Sequence, residues 1–152
     1  MSSGAHAIRP IRPADKDALL RFHARLSADT RYRRYHGVKG DLTPEELRFL
    51  TETDDVTHVA RVAVDADGEI DAVARVVDGE LAVVVADARR RSGLGQRVAA
   101  AVLRAFRERG AGGPVTAYVQ PDNGRALRLF QRLGARRRPS SPGDALELIF
   151  PT

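Results

Sequence analysis

A short glycine-bearing segment has residue types that could bind a phosphate. Residues 89–98 read RRRSGLGQRV and join an apolar run to a stretch with helical periodicity. A turn at the start of a helix presents free backbone N–H groups beside the positive end of the helix dipole. Gly93 and Gly95 would let this backbone approach an anion closely, because side chains at these positions would block it. The segment therefore predicts a phosphate-binding turn.

Two widespread phosphate-binding patterns do not fit this turn. The P-loop pattern fails because no Gly-Lys-Ser/Thr follows, and the dinucleotide-binding fingerprint fails because Val98 occupies its third glycine position. The turn therefore needs a third pattern, which the elements around it help to identify.

The turn lies within a chain that alternates strand-like runs and helical patterns. The runs THVARVAV, IDAVARVV and ELAVVVA have strand character, and the Asp-Gly pairs between them favour hairpin turns. We therefore expect an antiparallel meander, whose third strand is apolar on both faces and so covered on both sides. The chain then continues with a helix (QRVAAAVLRAFRERG), a buried strand (PVTAYV), a helix (NGRALRLFQRLG) and two weaker strands around 135–137 and 145–150.

The N-terminal part precedes the meander with one strand and three helices. The strand lies in HAIRPIRP, and the helices in ADKDALLRFHARLS, DTRYRRYHG and LTPEELRFLTE. In the last of these helices, Thr43 and Glu46 form a capping box and Pro44 takes the first helical position. The order β α α α β β β α β α β β predicts an α/β chain, and residues 1–152 contain no linker or repeat that would divide it.

The composition favours anionic ligands and excludes several kinds of site. The formal net charge is +5, and Lys16 and Lys39 are the only lysines among 25 cationic residues, so the charge suits cofactor phosphates as well as nucleic acid. The absence of cysteine excludes disulfides, thiolate metal sites and a cysteine nucleophile. The four histidines lack metal-ligand spacing, and we therefore predict no metal.

The sequence offers no signal for export or for a membrane partner. The stretch MSSGAHAIRP lacks the apolar region of a signal peptide, and no apolar run approaches the roughly 20 residues of a membrane span. We therefore expect a cytoplasmic protein.

Two motifs resemble those of the GNAT N-acetyltransferase superfamily. One family signature reads Gln or Arg, two residues, Gly, one residue, then Gly or Ala, and this sequence matches it from Arg90 to Gly95. A second signature, Asn-x-x-Ala-x-x-Leu-Tyr-x-x-x-Gly-Phe, is similar to NGRALRLFQRLGA at Asn123, Ala126, Leu129 and Gly134. The resemblance covers nearly the whole chain. It implies the α/β (α+β) GNAT fold, a single domain with a mixed, mostly antiparallel sheet of about six or seven strands flanked by about four or five helices.

A closer likeness is to the acetyltransferase domain of Pat-type bacterial protein-lysine acetyltransferases. The stretches IRPIRPADKDALLRFHARLSADTRYRRYHG, LTPEELRFLTETDD and GELAVVV resemble that domain in residues and in order. The likeness implies that acetyl-CoA is the co-substrate and that a primary amine, on a protein lysine or a small molecule, is the acceptor. It also implies that Glu80, at the head of the fourth strand, is the general base.

The resemblance further implies how acetyl-CoA is held. In the family a bulge in the fourth strand frees main-chain groups that pair with the pantetheine arm, and the glycine turn wraps the pyrophosphate through its amides. The residues to which this assigns cofactor binding are Val83, Val84, Val85, Arg90, Arg91, Ser92, Gly93, Leu94, Gly95, Gln96, Asn123 and Phe130. The residues 31–36, reading RYRRYH, would lie in the helix pair on the acceptor side.

One position departs from the family pattern. The family often has a tyrosine that protonates the departing thiolate, and this sequence has Phe130 in its place, which cannot donate a proton. A thiol with a pKa near 8.5 can leave as the thiolate, so an acid is not required. Tyr118 is the nearby candidate for a substitute donor, and a tyrosine at the edge of the core is the alternative for that residue. Asn123 has two open roles, contact with the cofactor or capping of the last helix, and Asp122 competes for the capping role.

Two classes of function stay open at the level of sequence. One is the N-acetyltransferase, and the other is a non-catalytic module that binds acyl-CoA or, through its basic surface, nucleic acid. A binding module needs no base, so Glu80 distinguishes the two classes; a solvated glutamate beside the turn Asp78-Gly79 is the alternative for that residue. The sequence also leaves room for a homodimer.

Overall fold

The computed structural model describes residues 5–26, 42–89, 92–109, 113–139 and 145–150. These residues form seven strands, which are β1 (Ala7–Pro10), β2 (His58–Val64), β3 (Ile70–Val77), β4 (Glu80–Val85), β5 (Val115–Val119), β6 (Arg136–Arg138) and β7 (Leu146–Phe150). They also form four α-helices, which are α1 (Lys16–Arg25), α2 (Pro44–Thr51), α3 (Leu94–Glu108) and α4 (Gly124–Arg132).

All seven strands belong to one sheet, in the order β1-β2-β3-β4-β5-β7-β6. Neighbouring strands are antiparallel except for β4 and β5, which are parallel. A parallel pair needs a crossover connection, and α3 supplies it between β4 and β5. The mixed, mostly antiparallel sheet that the sequence predicted is confirmed.

The predicted hairpin turn between β3 and β4 is also present. Asp78 and Gly79 have φ angles of 51° and 84°, and the pair Val77–Glu80 closes the turn. Two consecutive residues with positive φ form the type I′ turn, whose twist matches that of the strands it joins. This turn fixes the register with which β4 begins.

Helices cover the sheet on both faces and create two apolar clusters. Beneath α3 and α4, Leu81 of β4 and Leu148 of β7 are buried with Val98 of α3. On the other face, α1 and α2 cover residues that include Val62 of β2 and Val73 of β3. The sheet therefore separates a cluster under α3 and α4 from a cluster under α1 and α2.

None of the helices in the described part of the chain is long and apolar enough to cross a membrane.

Most of the predicted boundaries agree with the structure to within two residues. The capping box of α2 is present, since the Glu46 N–H donates to Thr43 Oγ1 at 3.1 Å and the Thr43 N–H donates to Glu46 Oε1 at 2.8 Å. The start of α3 was predicted at Gln96 but lies at Leu94, because Gly93 in the left-handed conformation already begins the helix. The helix predicted in DTRYRRYHG lies outside the described residues, as does Gly110, the last residue of the predicted helix QRVAAAVLRAFRERG.

Candidate functional site

The strands β4 and β5 touch at one end and diverge toward the other. The β3–β4 ladder joins six residue pairs, whereas the β4–β5 ladder has the single pair Glu80–Thr116. At this contact the Thr116 N–H donates to the Gly79 carbonyl oxygen at 2.8 Å. Beyond it, residues 81–85 and 117–119 lie on the two sides of an opening that we call the β4–β5 cleft.

The main chain of β4 supplies polar groups to this cleft at alternate residues. The N–H and C=O of one strand residue point to the same neighbouring strand, and the direction alternates along the strand. Because the Gly79 carbonyl faces β5, the backbone groups of Leu81, Val83 and Val85 face the cleft. Those of Val84 face β3, where Val84 pairs with Val73. The main chain of Val84 therefore points away from the cleft, whereas that of Leu81 points into it. Contact of Val83, Val84 or Val85 with a cofactor stays a prediction.

The expected bulge in β4 is not found in the described part of the chain. The register from Val77–Glu80 to Ala72–Val85 continues without a shift. The irregularity in this half of the sheet lies between β2 and β3, where the pairs Ala63–Ala72 and Val64–Ile70 leave Asp71 as the extra residue. The backbone groups of β4 are freed by the divergence of β5 and not by a bulge.

The start of α3 has the features of an anion site. The N-cap residue, Gly93, has no side chain that could cap the helix, and no acidic residue lies in its first turn. The first helical hydrogen bond runs from the Arg97 N–H to the Gly93 carbonyl oxygen at 3.1 Å. The N–H groups of Gly95 and Gln96 precede this bond and so have no acceptor within the helix. Together with the helix dipole, these donors favour an anion.

The two glycines of the turn are required for different reasons. Gly93 has a φ of 82°, a left-handed conformation that side chains disfavour, and a Cβ there would meet nothing within 4 Å. At Gly95 a Cβ would lie 3.0 Å from Val85 Cγ2 and 3.6 Å from Leu129 Cδ2. Gly93 therefore sets the path of the turn, and Gly95 lets α3 pack closely against β4 and α4.

Glu80 is exposed at the closed end of the cleft. The side chains of Leu81, Val83 and Val85 lie in the cluster under α3 and α4, so Glu80 lies on the opposite face of the sheet. Thr116 pairs with Glu80 and therefore shares that face, as does Tyr118, whose side chain is 46% exposed. The structure thus brings Glu80 and Tyr118, the candidate donor, to one surface.

The remaining predicted cofactor residues have contacts of their own. Asn123 caps α4, because its Oδ1 accepts from the Ala126 N–H at 3.2 Å, and Asp122 does not take that role. Phe130 is buried and packs edge-on against Phe150, with ring centroids 5.7 Å apart. Leu94 is buried in the cluster under α3 and α4, so only its main chain can serve a ligand. Contact of these residues with a cofactor stays a prediction.

A buried carboxylate beside the turn was missed by the sequence analysis. Asp71 of β3 is 3% exposed and accepts hydrogen bonds from His6, Arg25 and Arg89. Burial alone would raise the pKa of Asp71, but the bonds from His6, Arg25 and Arg89 outweigh it and lower the pKa below its ordinary value. The available signal was an aspartate between apolar residues in the strand run IDAVARVV. A carboxylate in such a strand is buried and needs hydrogen-bond partners.

Three of the features predicted from the sequence lie outside the residues that the structure describes. Arg90, Arg91 and residues 31–36 lie outside the described residues. Within the described residues, no group of three or more His, Asp or Glu side chains could hold a metal ion.

Comparison with known proteins identifies the fold. The sequence model of a family described as FR47-like protein matches residues 69–141, which contain Glu80, the turn and both α3 and α4. The GNAT domain of S. lividans PAT is 24% identical in sequence, with a TM-score of 0.88 over 97% of this chain and 90% of that domain. This chain has the GNAT fold. The fold that the sequence motifs implied is confirmed.

Two further solved structures are similar to this chain, one over less than half of its own length and the other over nearly all of it. The acyltransferase from Mycobacterium smegmatis described as cAMP-binding is 26% identical, with a TM-score of 0.62 over 97% of this chain and 44% of that protein. The protein yncA from Salmonella typhimurium, assigned as an acetyltransferase and solved with its cofactor acetyl-CoA, is 19% identical. Its TM-score is 0.70 over 96% of this chain and 91% of yncA. The GNAT fold is thus shared with proteins that differ widely in sequence.

Proposed function

We propose that this protein is an N-acetyltransferase that moves the acetyl group of acetyl-CoA to a primary amine. The observation that carries the proposal is the β4–β5 cleft, which leads from Glu80 at its closed end to the uncapped start of α3. The cleft therefore has a carboxylate at one end and an anion site at the other. The presence of acetyl-CoA in the GNAT-fold protein yncA supports the choice of co-substrate.

The diphosphate of acetyl-CoA would bind at the start of α3. The N–H groups of Gly95 and Gln96 would donate to its oxygens, and the cationic side chains of Arg90 and Arg91 would add charge. Five strand steps separate Val85 from Glu80, a span of about 17 Å at the usual rise of a strand. A flexible, extended arm such as pantetheine suits this span, and the backbone of Val83 and Val85 would pair with its amides.

The reaction begins with removal of a proton from the amine. A lysine ammonium has a reference pKa of about 10.4 and is not a nucleophile near neutral pH. Glu80 accepts one proton, and the amine nitrogen then attacks the thioester carbonyl carbon. The negative charge that develops on the carbonyl oxygen is stabilised by β4 N–H groups facing the cleft, such as that of Leu81 or Val83.

Breakdown of the intermediate releases coenzyme A. The C–S bond breaks as the carbonyl re-forms, and the electron pair leaves on sulfur. The nitrogen then loses its second proton to the thiolate or to water, which leaves the neutral amide. A thiol with a pKa near 8.5 is an acceptable leaving group as the thiolate, and Phe130 can supply no proton. Tyr118 lies on the same face of the sheet as Glu80 and is the remaining candidate donor.

The acceptor is an amine on a protein lysine or on a small molecule. Glu80, Thr116 and Tyr118 share a face that α1 and α2 cover on the β2–β3 side, and the acceptor would approach Glu80 from that face. Cytoplasmic localisation and a homodimer stay predictions of the sequence.

The proposal is tested by combining Glu80→Gln with a matched control. Glu108→Gln removes another exposed carboxylate, at the opposite end of α3 from the turn. Acetyl-CoA binding is measured by titration calorimetry, and coenzyme A release is measured with lysine peptides and small primary amines. We expect Glu80→Gln to bind acetyl-CoA like the wild type and to lose about 10²- to 10⁴-fold in turnover. Glu108→Gln should retain both properties.

Each part of the proposal has its own contrary result. A wild-type protein that binds neither acetyl-CoA nor coenzyme A would refute the cofactor site. Unchanged turnover in Glu80→Gln would remove the general base while leaving the cofactor site intact.

A further inference from the structure

We propose that Asp71 is a positioning residue for the cofactor turn, which it holds in place through Arg89. This inference rests on the proposed function, because it assigns Asp71 an effect on acetyl-CoA affinity. Asp71 lies on β3, beside the end of β4, and neither its side chain nor its neighbours belong to the two sequence motifs.

The main chain of Asp71 fixes the point at which β4 ends. The Ala86 N–H donates to the Asp71 carbonyl oxygen at 2.8 Å, one residue beyond the last β3–β4 pair, Ala72–Val85. The Arg89 N–H then donates to the Ala86 carbonyl oxygen at 2.8 Å and closes a short 3-10 turn over Asp87–Arg89. The segment after β4 therefore starts from a backbone anchor on residue 71.

The side chain of Asp71 holds the other end of this 3-10 turn. Arg89 Nε donates to Asp71 Oδ2 at 3.2 Å, and His6 Nε2 lies 2.8 Å from the same oxygen. Arg25 Nη1 donates to Oδ1 at 3.4 Å, and its Nη2 also donates to the Ile70 carbonyl oxygen. One buried carboxylate thus ties the turn to β3, to α1 and to the residue before β1.

The restraint continues from Arg89 into the glycine turn. The Ser92 hydroxyl donates to the Arg89 carbonyl oxygen, and the Leu94 N–H contacts Ser92 Oγ at 3.4 Å. Leu94 is the first residue of α3, so hydrogen-bonded contacts link Asp71 to the helix start that carries the free donors. An anion site made of backbone groups depends on where that backbone lies, and a displaced turn loses affinity without changing the reacting groups.

The exposed fractions of the Asp71 and Arg89 side chains predict whether loss of their contact changes acetyl-CoA affinity or fold stability. The Asp71 side chain is 4% exposed, whereas that of Arg89 is 39% exposed and can be solvated if its partner is lost. Loss of the Arg89 contact should therefore free the turn more than it destabilises the core. We expect a weaker Kd and a higher KM for acetyl-CoA, with kcat at saturating acetyl-CoA close to that of the wild type.

The experiment compares two ways of breaking the link with a matched control. Asp71→Asn removes the charge of the buried carboxylate. Arg89→Ala removes its partner, and because the Arg89 side chain is partly exposed, this variant is less liable to unfold. Asp55→Asn is the control because Asp55 also pairs two arginines, Arg61 and Arg109, near the far end of α3. Its positive φ of 58° is one that asparagine tolerates well. All variants are titrated with acetyl-CoA and compared in stability by chemical denaturation.

The expected result separates positioning from general stability. Asp71→Asn and Arg89→Ala should each weaken acetyl-CoA binding by roughly 3- to 30-fold, and the double variant should be no weaker than the poorer single variant. Arg89→Lys should restore part of the affinity. Asp55→Asn should lose stability but keep the wild-type Kd.

Three outcomes would overturn the inference. They are a wild-type Kd in Arg89→Ala, an equal loss of affinity in Asp55→Asn, and a fall in kcat without a change in KM. If the wild type itself binds no acetyl-CoA, the proposed function fails first, and that result is distinguishable because it needs no variant.

Discussion

Gly95→Ala tests whether close packing of α3 on β4 explains the second glycine of the turn. The new Cβ would lie 3.0 Å from Val85 Cγ2, whereas ordinary contacts of a Cβ lie at 3.4–4 Å. The side chain of valine is stiff about its first torsion, so Val85 cannot turn away cheaply. Overpacking of this kind costs about 1–3 kcal/mol, while replacing glycine with alanine in a helix returns up to about 1 kcal/mol.

The difference predicts a net loss of stability of about 1 kcal/mol. In a domain of this size that loss lowers Tm by about 2–4 °C, which thermal or chemical denaturation can measure. Val85→Ala should rescue the variant, because it removes the atom that the new Cβ meets. The double variant should therefore be more stable than the sum of the single effects predicts, with a coupling free energy of about 1 kcal/mol.

Gly93→Ala is the control that separates packing from backbone conformation. A Cβ at residue 93 meets nothing within 4 Å, but the φ of 82° costs about 1–2 kcal/mol for a residue with a side chain. Val85→Ala should leave that loss unchanged. The packing argument would be refuted if the Gly95→Ala variant were as stable as the wild type. It would also be refuted if the stability effects of Gly95→Ala and Val85→Ala were strictly additive in the double variant.

Two further predictions concern Asn123 and the charge of Asp71. Asn123→Ala should lower stability by about 1 kcal/mol, because the Ala126 N–H loses its cap. Calorimetric titration with acetyl-CoA tests the cofactor role of Asn123. An unchanged Kd would limit Asn123 to capping. Because the folded pKa of Asp71 is lowered, its carboxylate stabilises the fold above the unfolded pKa of about 3.9, and this contribution is lost as pH falls through the folded value. Denaturation at a series of pH values should give a stability gap between wild type and Asp71→Asn that shrinks as the pH falls below about 4. A gap that widens on acidification would contradict this assignment.

The anion site was predictable because its determinants are local. Gly93 and Gly95 lie within one turn, and a glycine at the N-cap position of α3 can supply no capping side chain. The type I′ turn at Asp78-Gly79 and the capping box at Thr43 are equally short-range patterns. Each depends on backbone conformations that few residue types favour, so residue type and spacing suffice to predict it.

The Asp71 cluster could not be predicted in the same way. Its partners His6, Arg25 and Arg89 come from 65, 46 and 18 residues away along the chain. Arginine is abundant in this sequence, so residue type alone does not say which cation meets which carboxylate. The pairing follows from the meeting of α1, β3 and the segment after β4, and a sequence pattern carries no distances between such elements.

The direction of the Val84 main chain, by contrast, could have been worked out from the sequence. A two-residue hairpin turn requires that its closing pair, here Val77 and Glu80, exchange hydrogen bonds. The backbone groups of Glu80 therefore face β3, and alternation assigns those of residues 82 and 84 to the same side. Leu81, Val83 and Val85 are then directed to β5 by the Asp78-Gly79 turn alone. The turn that sets Glu80 at the closed end of the cleft thus also determines which backbone groups the cleft offers to a ligand.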